Sequence, residues 1–169
     1  EKTKGLFIEG APIVEVDSVS RRGLDELVQK IDEISEDIEE KKTDAPSRMS
    51  IDRVFSLKGF GTIVTGTLIE GKISVDDEMT IYPSEKKVKV RNLQVHGCDV
   101  KTAYAGQRTA INLSNIKVSE IQRGDVIAQT GSVEESMMID VNISLVEQCK
   151  KSLKHWDRIR IFHGTKQIL

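Results

Sequence analysis

The stretch that decides the fold reads Ile51-Asp52-Arg53-Val54-Phe55-Ser56-Leu57-Lys58-Gly59-Phe60-Gly61-Thr62-Ile63-Val64-Thr65-Gly66-Thr67-Leu68. Two segments rich in β-branched and aromatic residues, 50–57 and 62–68, flank the turn residues Gly59 and Gly61. Such a pattern is typical of two antiparallel strands joined by a turn. The two glycines do not open a dinucleotide-binding loop, because Val64 stands where that fingerprint needs its third glycine.

Further β-rich segments follow this hairpin at short intervals, separated by turn residues. They are residues 78–82, 88–95, 107–113, 125–129, 139–146 and 158–162. Short strands at this spacing favour a closed β-barrel over alternating β and α units. The core must be aliphatic, because aromatic residues make up only 4% of the chain.

The N-terminal part has a different pattern of apolar residues. Residues 11–16 form a short apolar run that predicts a buried strand. Apolar residues then recur at spacings of three and four, which predicts an amphipathic helix: Leu24, Leu27, Ile31, Ile34 and Ile38. A polar stretch ending at Pro46 and a second one at 131–136 divide the chain into 1–46, 47–135 and 136–169.

Charge is distributed unevenly over the 169 residues, whose net charge is −2. Residues 1–46 carry 7 Lys and Arg against 13 Asp and Glu, whereas the rest carry 18 against 14. The basic excess permits attraction to an anionic partner. The chain has no apolar run long enough to span a membrane and no signal-peptide pattern, and two cysteines cannot form a disulfide framework. We therefore expect a soluble cytoplasmic protein.

Motifs for catalysis and metal binding are weak. The segment 66–73 fits G-x-x-x-x-G-K, but Ile73 stands where a phosphate-binding loop needs Ser or Thr, and the context favours a β-hairpin. Three histidines without a C-x-x-C pair do not make a zinc site. No nucleophile, base and acid can be assembled, so we predict neither catalytic nor metal residues in this chain.

Two arginines within β-rich segments are the better candidates for function, Arg53 and Arg108. Each is either an ordinary surface residue or part of an anion pocket, for which the guanidinium fork is well suited. The neighbouring Asp52 raises a geometric difficulty, because adjacent residues of a regular strand point to opposite faces. Asp52 and Arg53 could line one pocket only at a strand end or a bulge, or with Asp52 acting from behind.

Residues 51–68 resemble the opening of the second domain of translational GTPases, whose signature is G-x-G-T-[IV]-V-T-G. Three stretches resemble the selenocysteine-specific elongation factors (the SelB family) in particular: 58–61, 93–97 and 105–113. Elongation factor Tu has two acidic residues in place of Asp52-Arg53 and an asparagine in place of Arg108. Asp76 departs from the family, which usually has a glycine there.

This resemblance implies a mainly β fragment. Residues 1–46 would be the last strand and helix of the GTPase domain, 47–135 the domain II β-barrel, and 136–169 the truncated start of a domain III β-barrel. Asp17 and Ser18 stand where the family's guanine-contacting loop reads Ser-Ala. Because the chain lacks a P-loop, an Asp-x-x-Gly and an Asn-Lys-x-Asp motif, GTP with Mg²⁺ is expected in the intact GTPase and not on this fragment.

The resemblance also implies a function. Domain II would bind the aminoacylated 3′ end of selenocysteyl-tRNA for GTP-dependent delivery to the ribosome, with the selenocysteyl group held by Asp52, Arg53 and Arg108. Two alternatives stay open. One is a translational GTPase that binds ordinary aminoacyl-tRNA, and the other is a non-enzymatic β-barrel that binds RNA or protein.

Overall fold

The computed structural model describes residues 6, 8–146 and 149–168. The contacts divide the described residues into two units. One is drawn from 1–40 and 140–157, and the other from 41–139 and 158–169. The second unit holds all the strands of the described chain and is described first.

Eleven strands are present among the described residues. They are β1 (Arg48–Leu57), β2 (Gly61–Glu70), β3 (Lys72–Ser74), β4 (Glu78–Tyr82), β5 (Lys86–Val95), β6 (Cys98–Val100), β7 (Thr102–Tyr104), β8 (Arg108–Ser114), β9 (Val126–Gln129), β10 (Ile161–His163) and β11 (Lys166–Ile168). A 3₁₀ helix, Val118–Glu120, connects β8 to β9.

Six of these strands close into a barrel. Their order is β4-β9-β1-β2-β8-β5, and β5 pairs back onto β4, so that every one of the six has a neighbour on both sides. All of these pairings are antiparallel. The barrel expected from the sequence is therefore confirmed. Strand β6 pairs with one end of β5. Two separate two-stranded sheets are formed by β3 with β7 and by β10 with β11.

The barrel core is aliphatic, as the composition required. Ile51, Val64, Leu93 and Ile111 are each fully buried in one cluster with the other inward residues of the barrel. Burying each such side chain contributes about 1.5–3 kcal/mol. The alternation of buried and exposed residues along β2 and β5 assigns one face of each strand to this core.

The segment 66–73 is a β-strand, a break at Gly71 and another strand, since β2 ends at Glu70 and β3 begins at Lys72. The segment is therefore β-structure and not a phosphate-binding loop, which would lead into a helix. The β-hairpin interpretation is wrong, because β2 pairs with β1 and β8 whereas β3 pairs with β7. Asp76 occupies a positive-φ position (φ 75°) in the following turn. Its substitution for glycine is tolerated there, because Asp enters left-handed backbone more readily than most residues.

The first unit contains one helix, α1 (Leu24–Glu36), which begins directly after Gly23. A Cβ at Gly23 would lie 2.1 Å from the carbonyl oxygen of Glu15, and φ is 75°, so glycine is required there. The helix was predicted correctly, but none of its apolar residues is fully buried in the described chain: Leu24 and Leu27 are half-buried. Val28, Ile31 and Ile34 are all about half exposed.

Two predicted strands are absent. Residues 11–16 and 139–146 have no strand structure, and Ile13 is 88% exposed. A strand exists only where another strand completes its hydrogen bonds. No described segment pairs with either of these two.

Strand β10 is shorter than the predicted 158–162 segment and pairs with β11, which the sequence pattern did not indicate. Among the described residues, no helix is long and apolar enough to cross a membrane.

Candidate anion-binding site on the outer face of the barrel

The site begins with a β-bulge at Asp52. In the β1–β2 ladder, Ile51 pairs with Gly66 and Arg53 pairs with Thr65, so Asp52 is an extra residue between them. Paired residues of an antiparallel ladder share a face, which places Arg53 on the side of Thr65. Asp52 bonds to the Thr65 side chain and therefore lies on this side as well. The bulge removes the geometric difficulty raised by the sequence.

Gly66 is what allows the two strands to meet at this bulge. A Cβ at Gly66 would lie 2.2 Å from the Ser50 carbonyl oxygen and 2.9 Å from Met49 Cγ. Both distances are shorter than any normal contact, so a larger residue would force the strands apart. The glycine of the V-T-G signature thus has a local physical reason, which is close backbone approach.

Asp52 and Arg108 form an ion pair across this outer face, by which we mean the solvent side of β1, β2, β8 and β5. Arg108 Nη1 donates to Asp52 Oδ2, and Arg108 Nη2 donates to Asp52 Oδ1 at 3.2 Å. Thr65 Oγ1 also donates to Asp52 Oδ1, at 2.6 Å. The carboxylate therefore fixes the guanidinium with two bonds while a threonine fixes the carboxylate. Asp52 is 19% exposed and Arg108 is 53% exposed.

The pKa of Asp52 lies below its ordinary value. Partial burial of the carboxyl group is the largest single effect and raises the pKa. Hydrogen bonds from Arg108 and Thr65, with the charges of Arg108 and Arg53, lower it and together outweigh burial. Asp52 is therefore ionised at neutral pH and keeps Arg108 in place.

Arg53 completes the charged group without bonding to the carboxylate. It is exposed on the outer face beside Asp52, and its charge acts on the Asp52 carboxyl. The structure therefore places all three residues that the sequence nominated on one face. Two cationic side chains flank a single carboxylate, which leaves a net positive charge at this point of the barrel.

A cleft of about 240 Å³ opens beside Arg108. Its walls are formed by Thr65, Gln94, His96, Gly97, Arg108, Thr109 and Ala110. Sequence reasoning did not name Thr65, Gln94 or His96 as site residues. Thr65 lies inside the domain signature, and His96 sits at a positive φ of 53° in the β5–β6 turn. Such backbone is uncommon for a residue other than glycine and would mark the turn.

A second cleft, of about 100 Å³, adjoins the first and shares Gln94 and Ala110 with it. Its other walls are Leu57, Phe60, Ile63, Asn92 and Asn112. Asp99 Oδ1 accepts from Asn92 Nδ2 at 2.9 Å and from Gln94 Nε2 at 2.8 Å, which holds both amides.

Asn112 is the unusual member of this second cleft. Its Oδ1 atom is buried and accepts no hydrogen bond from the described residues. A buried acceptor without a donor is unfavourable, so a ligand that supplies an N–H there would be stabilised.

Asp17 and Ser18 lie in the other unit, far along the chain from the barrel residues. The Asp17 carboxylate accepts from the Val19 amide at 2.9 Å and from Ser20 Oγ at 2.6 Å. The hydrogen bond from Ser20, followed by the one from Val19, lowers the pKa of Asp17. This carboxylate closes its own turn.

The described residues contain no cluster of three or more His, Cys, Asp or Glu side chains placed to hold a metal ion. The chemistry that this surface offers is hydrogen bonding and charge, from two guanidinium groups, one carboxylate and three amides. It can bind an anionic group beside a flat, partly apolar one.

Comparison with known proteins agrees with this fold. A family model described as elongation factor Tu domain 2 matches residues 61–128. A selenocysteine-specific elongation factor of Desulfomicrobium baculatum is 41% identical over 165 residues, which make up 98% of this chain and 26% of that protein.

Two solved structures are similar over most of the chain. A bacterial selenocysteine-specific elongation factor, EF-Sec, has a TM-score of 0.71 and 33% identity, covering 77% of this chain and 23% of that one. The elongation factor SelB from Methanococcus maripaludis, in complex with the GTP analogue GPPNHP, has a TM-score of 0.66 and 29% identity, covering 73% and 27%.

This chain spans about a quarter of the length of these relatives. The resemblance that the sequence indicated is confirmed, and so is the domain II fold that it implied. The strand order, the matched family model and the identity over nearly the whole chain lead to one conclusion: the chain corresponds to about a quarter of a selenocysteine-specific elongation factor, and its barrel is an elongation factor Tu domain 2.

Proposed function

We propose that the barrel of this elongation factor binds the aminoacylated 3′ end of selenocysteyl-tRNA. The observation that carries the proposal is the Asp52–Arg108 pair, flanked by Arg53 and bordered by two joined clefts on one face. In the longer protein, this surface would hold the ester for GTP-dependent delivery to the ribosome. The cytoplasm is then its place of action.

The selenocysteyl group is recognised by its charge in this proposal. A selenol is more acidic than a thiol or a hydroxyl, so the side chain is an anion at neutral pH, whereas serine is neutral. The bonds to Asp52 occupy part of the Arg108 guanidinium, which has five N–H donors in all. Its remaining N–H groups and the Arg53 guanidinium would donate to the selenolate.

Asp52 has a positioning role in this scheme. It holds Arg108 through two bonds, and its own charge prevents the two guanidinium groups from repelling each other across the site. A site built for an anion rejects the neutral analogue, because the cationic groups are then left without their partner.

The second cleft suits the terminal base of the tRNA. Phe60 offers an aromatic ring on which a base can stack, and Leu57 adds apolar surface beside it. Stacking on aromatic side chains is tolerant of sequence. An exocyclic amino group would donate to the orphan Asn112 Oδ1. An adenine has such an amino group on the edge that pairs with other bases.

The nucleotide chemistry belongs to the rest of the longer protein in this proposal. GTP and Mg²⁺ would be held by the GTPase motifs that this chain lacks. No step of the binding proposed here depends on them.

The test is a competition between selenocysteyl-tRNA and seryl-tRNA that share the same tRNA body. Binding can be measured by protection of the aminoacyl ester from hydrolysis. We expect the 169-residue chain to prefer selenocysteyl-tRNA by about 10-fold to 100-fold, and Arg108→Ala to reduce this ratio to about one. Affinity for seryl-tRNA should change little.

Arg48→Ala is the matched control. Arg48 is also a partly exposed arginine of the barrel, with its Nη2 3.2 Å from Glu70 Oε1, but it lies outside both clefts. Its loss should leave the preference intact. An unchanged preference in Arg108→Ala would overturn the proposed anion pocket. A wild-type chain that binds both tRNAs equally would favour a factor for ordinary aminoacyl-tRNA. Salt-dependent binding that ignores the amino acid would favour a general RNA-binding barrel.

A further inference from the structure

The backbone just before the Asp52 bulge is held from the side opposite β2. Strand β9 pairs with β1 only as far as Ser50, and beyond that point the turn 122–125 takes over. Ile51 N donates to the Asp125 carbonyl at 2.8 Å, and Gly124 N donates to the Ile51 carbonyl at 2.8 Å. The position of Ile51, and with it the start of the bulge, is therefore set by this turn.

The hairpin β10–β11 adds a third bond at the same place. Thr165 lies in the turn of this hairpin, and its Oγ1 donates to the Ile51 carbonyl oxygen at 2.8 Å. Gly164 packs on Ser50 here, since a Cβ added to it would lie 3.3 Å from Ser50 Oγ. Thr165 is far from Asp52 in sequence, and it acts on the bulge only through its hydrogen bond to the backbone of β1.

Asp125 gives an independent reason for the hairpin to lie there. Its side chain is only 7% exposed, and Oδ2 accepts from Gln122 N at 2.8 Å. A buried carboxylate is costly unless a cation or hydrogen bonds compensate it. Lys166 Nζ, from the same hairpin, lies 3.7 Å from Asp125 Oδ1.

Gly124 makes room for this approach. Its φ is +91°, and a Cβ there would lie 2.6 Å from Lys166 Cβ and 2.9 Å from Lys166 Cα. The turn therefore presents backbone without a side chain at the point where Lys166 of the hairpin crosses it. Gly124, the buried Asp125 carboxylate and the Thr165 hydroxyl all contribute to the contact between the hairpin and this part of the barrel.

We propose that the β10–β11 hairpin positions the anion site, with Thr165 and Lys166 as positioning residues that hold the Asp52 bulge through the Ile51 carbonyl and the Asp125 turn. The hairpin stabilises the bulged register of β1. That register keeps Asp52 and Arg53 together on the outer face and lets Asp52 engage Arg108. The functional importance of this contact rests on the proposed function of the anion site. The contact itself does not depend on that proposal.

The test is nuclear magnetic resonance on the labelled 169-residue chain without any ligand. The readouts are the Asp52 carboxyl carbon followed against pH and the guanidinium N–H signals of Arg108. The charged groups facing Asp52 are Arg108 from β8 and Arg53 from β1. In Thr165→Val, which removes only the hydroxyl, we expect the pKa of Asp52 to rise toward its ordinary value and the Arg108 signals to broaden or disappear.

Thr165→Ser restores the hydroxyl and should restore both readouts, which a general loss of packing would not explain. Lys166→Met keeps the hydroxyl bond and should shift both readouts in the same direction, but less. Thr130→Val is the matched control, because the Thr130 hydroxyl bonds to Thr80 Oγ1 at 2.9 Å in another part of the barrel. It should change neither readout.

Unchanged Asp52 and Arg108 signals in both Thr165→Val and Lys166→Met would overturn the inference. So would loss of the signals in Thr165→Val that serine at the same position fails to restore. Neither result bears on tRNA recognition, since no ligand is present. Conversely, a chain that shows no selenocysteyl preference but responds to Thr165→Val would refute the proposed function and leave the positioning role intact.

Discussion

The inner and outer faces of the same four strands do different work. On the inner face of β1, β2, β5 and β8, aliphatic side chains such as Ile51, Val64 and Ile111 are fully buried. On the outer face, the residues next to them in sequence, Asp52 and Thr65, are polar and hydrogen-bonded to each other. One step along each strand separates the part that stabilises the barrel from the part that offers chemistry.

The comparison shows where the two faces are coupled. In regular strand, a change on one face leaves the other nearly unaffected, because adjacent side chains point apart. The bulge is the exception, since Asp52 and Arg53 lie on one face and Gly66 supports them from within the ladder. Substitutions should therefore separate cleanly into stability effects and site effects, except at the bulge.

The largest expected effect is on the inner face. Ile111→Ala leaves a cavity in the core and should lower the free energy of unfolding by about 2–5 kcal/mol. Urea denaturation followed by circular dichroism measures this. Ile13→Ala is the control, because Ile13 is 88% exposed and should change stability by less than about 0.5 kcal/mol. Equal effects of the two substitutions would mean that the barrel core is not the source of stability.

The next effect tests the coupling itself. Gly66→Ala places a methyl group against the Ser50 carbonyl and Met49, so the strands must separate. We expect a loss of about 1–3 kcal/mol, as for other overpacked sites. The pKa of Asp52 should also rise, because its bonds to Thr65 and Arg108 depend on the bulged register.

Gly97→Ala is the comparison for that variant. Gly97 has a positive φ of 80°, which Gly66 does not, and nothing lies within 4 Å of a Cβ built on it. It should lose some stability through backbone strain while the pKa of Asp52 stays low. If Gly66→Ala lowers stability without changing the Asp52 pKa, the faces are not coupled at this residue.

On the outer face, Asp52→Asn should cost about 1 kcal/mol or less at neutral pH, because its partner Arg108 is half exposed and water weakens the pair. The pKa of Asp52 is lowered in the folded protein, so its contribution is present above the ordinary value of 3.8 and disappears as the pH falls through the lower folded value. The stability difference between wild type and Asp52→Asn should therefore be largest near pH 7 and shrink below about pH 4.

Urea titrations at pH 7, 4 and 3 measure this difference. Asp76→Asn serves as the control, since Asp76 pairs with Lys89 on an exposed part of the barrel and is itself 76% exposed. Its effect should be small at every pH. A difference for Asp52→Asn that does not depend on pH would show that the carboxylate is not held by the arginines.

The barrel was predictable because its signals are local. The glycine turn at 58–60 and the alternation on either side of it fix the first hairpin without reference to the rest of the chain. The bulge was not predictable in the same way. It depends on the close approach at Gly66 and on the turn at Gly124, which is more than fifty residues away, and the alternation of the sequence gives no sign of either.

The N-terminal part shows that an apolar pattern alone does not determine which elements pair or pack. Residues 11–16 are as apolar as a barrel strand, yet they form none, because no described strand pairs with them. Helix α1 forms because its hydrogen bonds are internal. Periodicity predicts a helix but not its packing partner, and Ile31 and Ile34 of the apolar face are about half exposed. The charged residues of the site were named from sequence. Their contact, and the contribution of Thr65, required the fold.

The smallest expected effect has the opposite sign and sharpens the contrast between the faces most. Asn112 occupies an outward position of β8 beside Ile63, and its buried Oδ1 has no donor among the described residues. Asn112→Leu removes that unsatisfied acceptor and adds apolar surface next to Leu57 and Phe60 in the same cleft. The unfolding free energy should rise by about 0.5 kcal/mol, since stabilising changes of this kind are common at sites selected for binding. Binding of a tRNA end that carries the terminal adenosine should weaken, while an end that lacks this base is bound as by wild type. A variant that is both less stable and equally good at binding the adenosine would show that this amide serves the barrel and not the ligand.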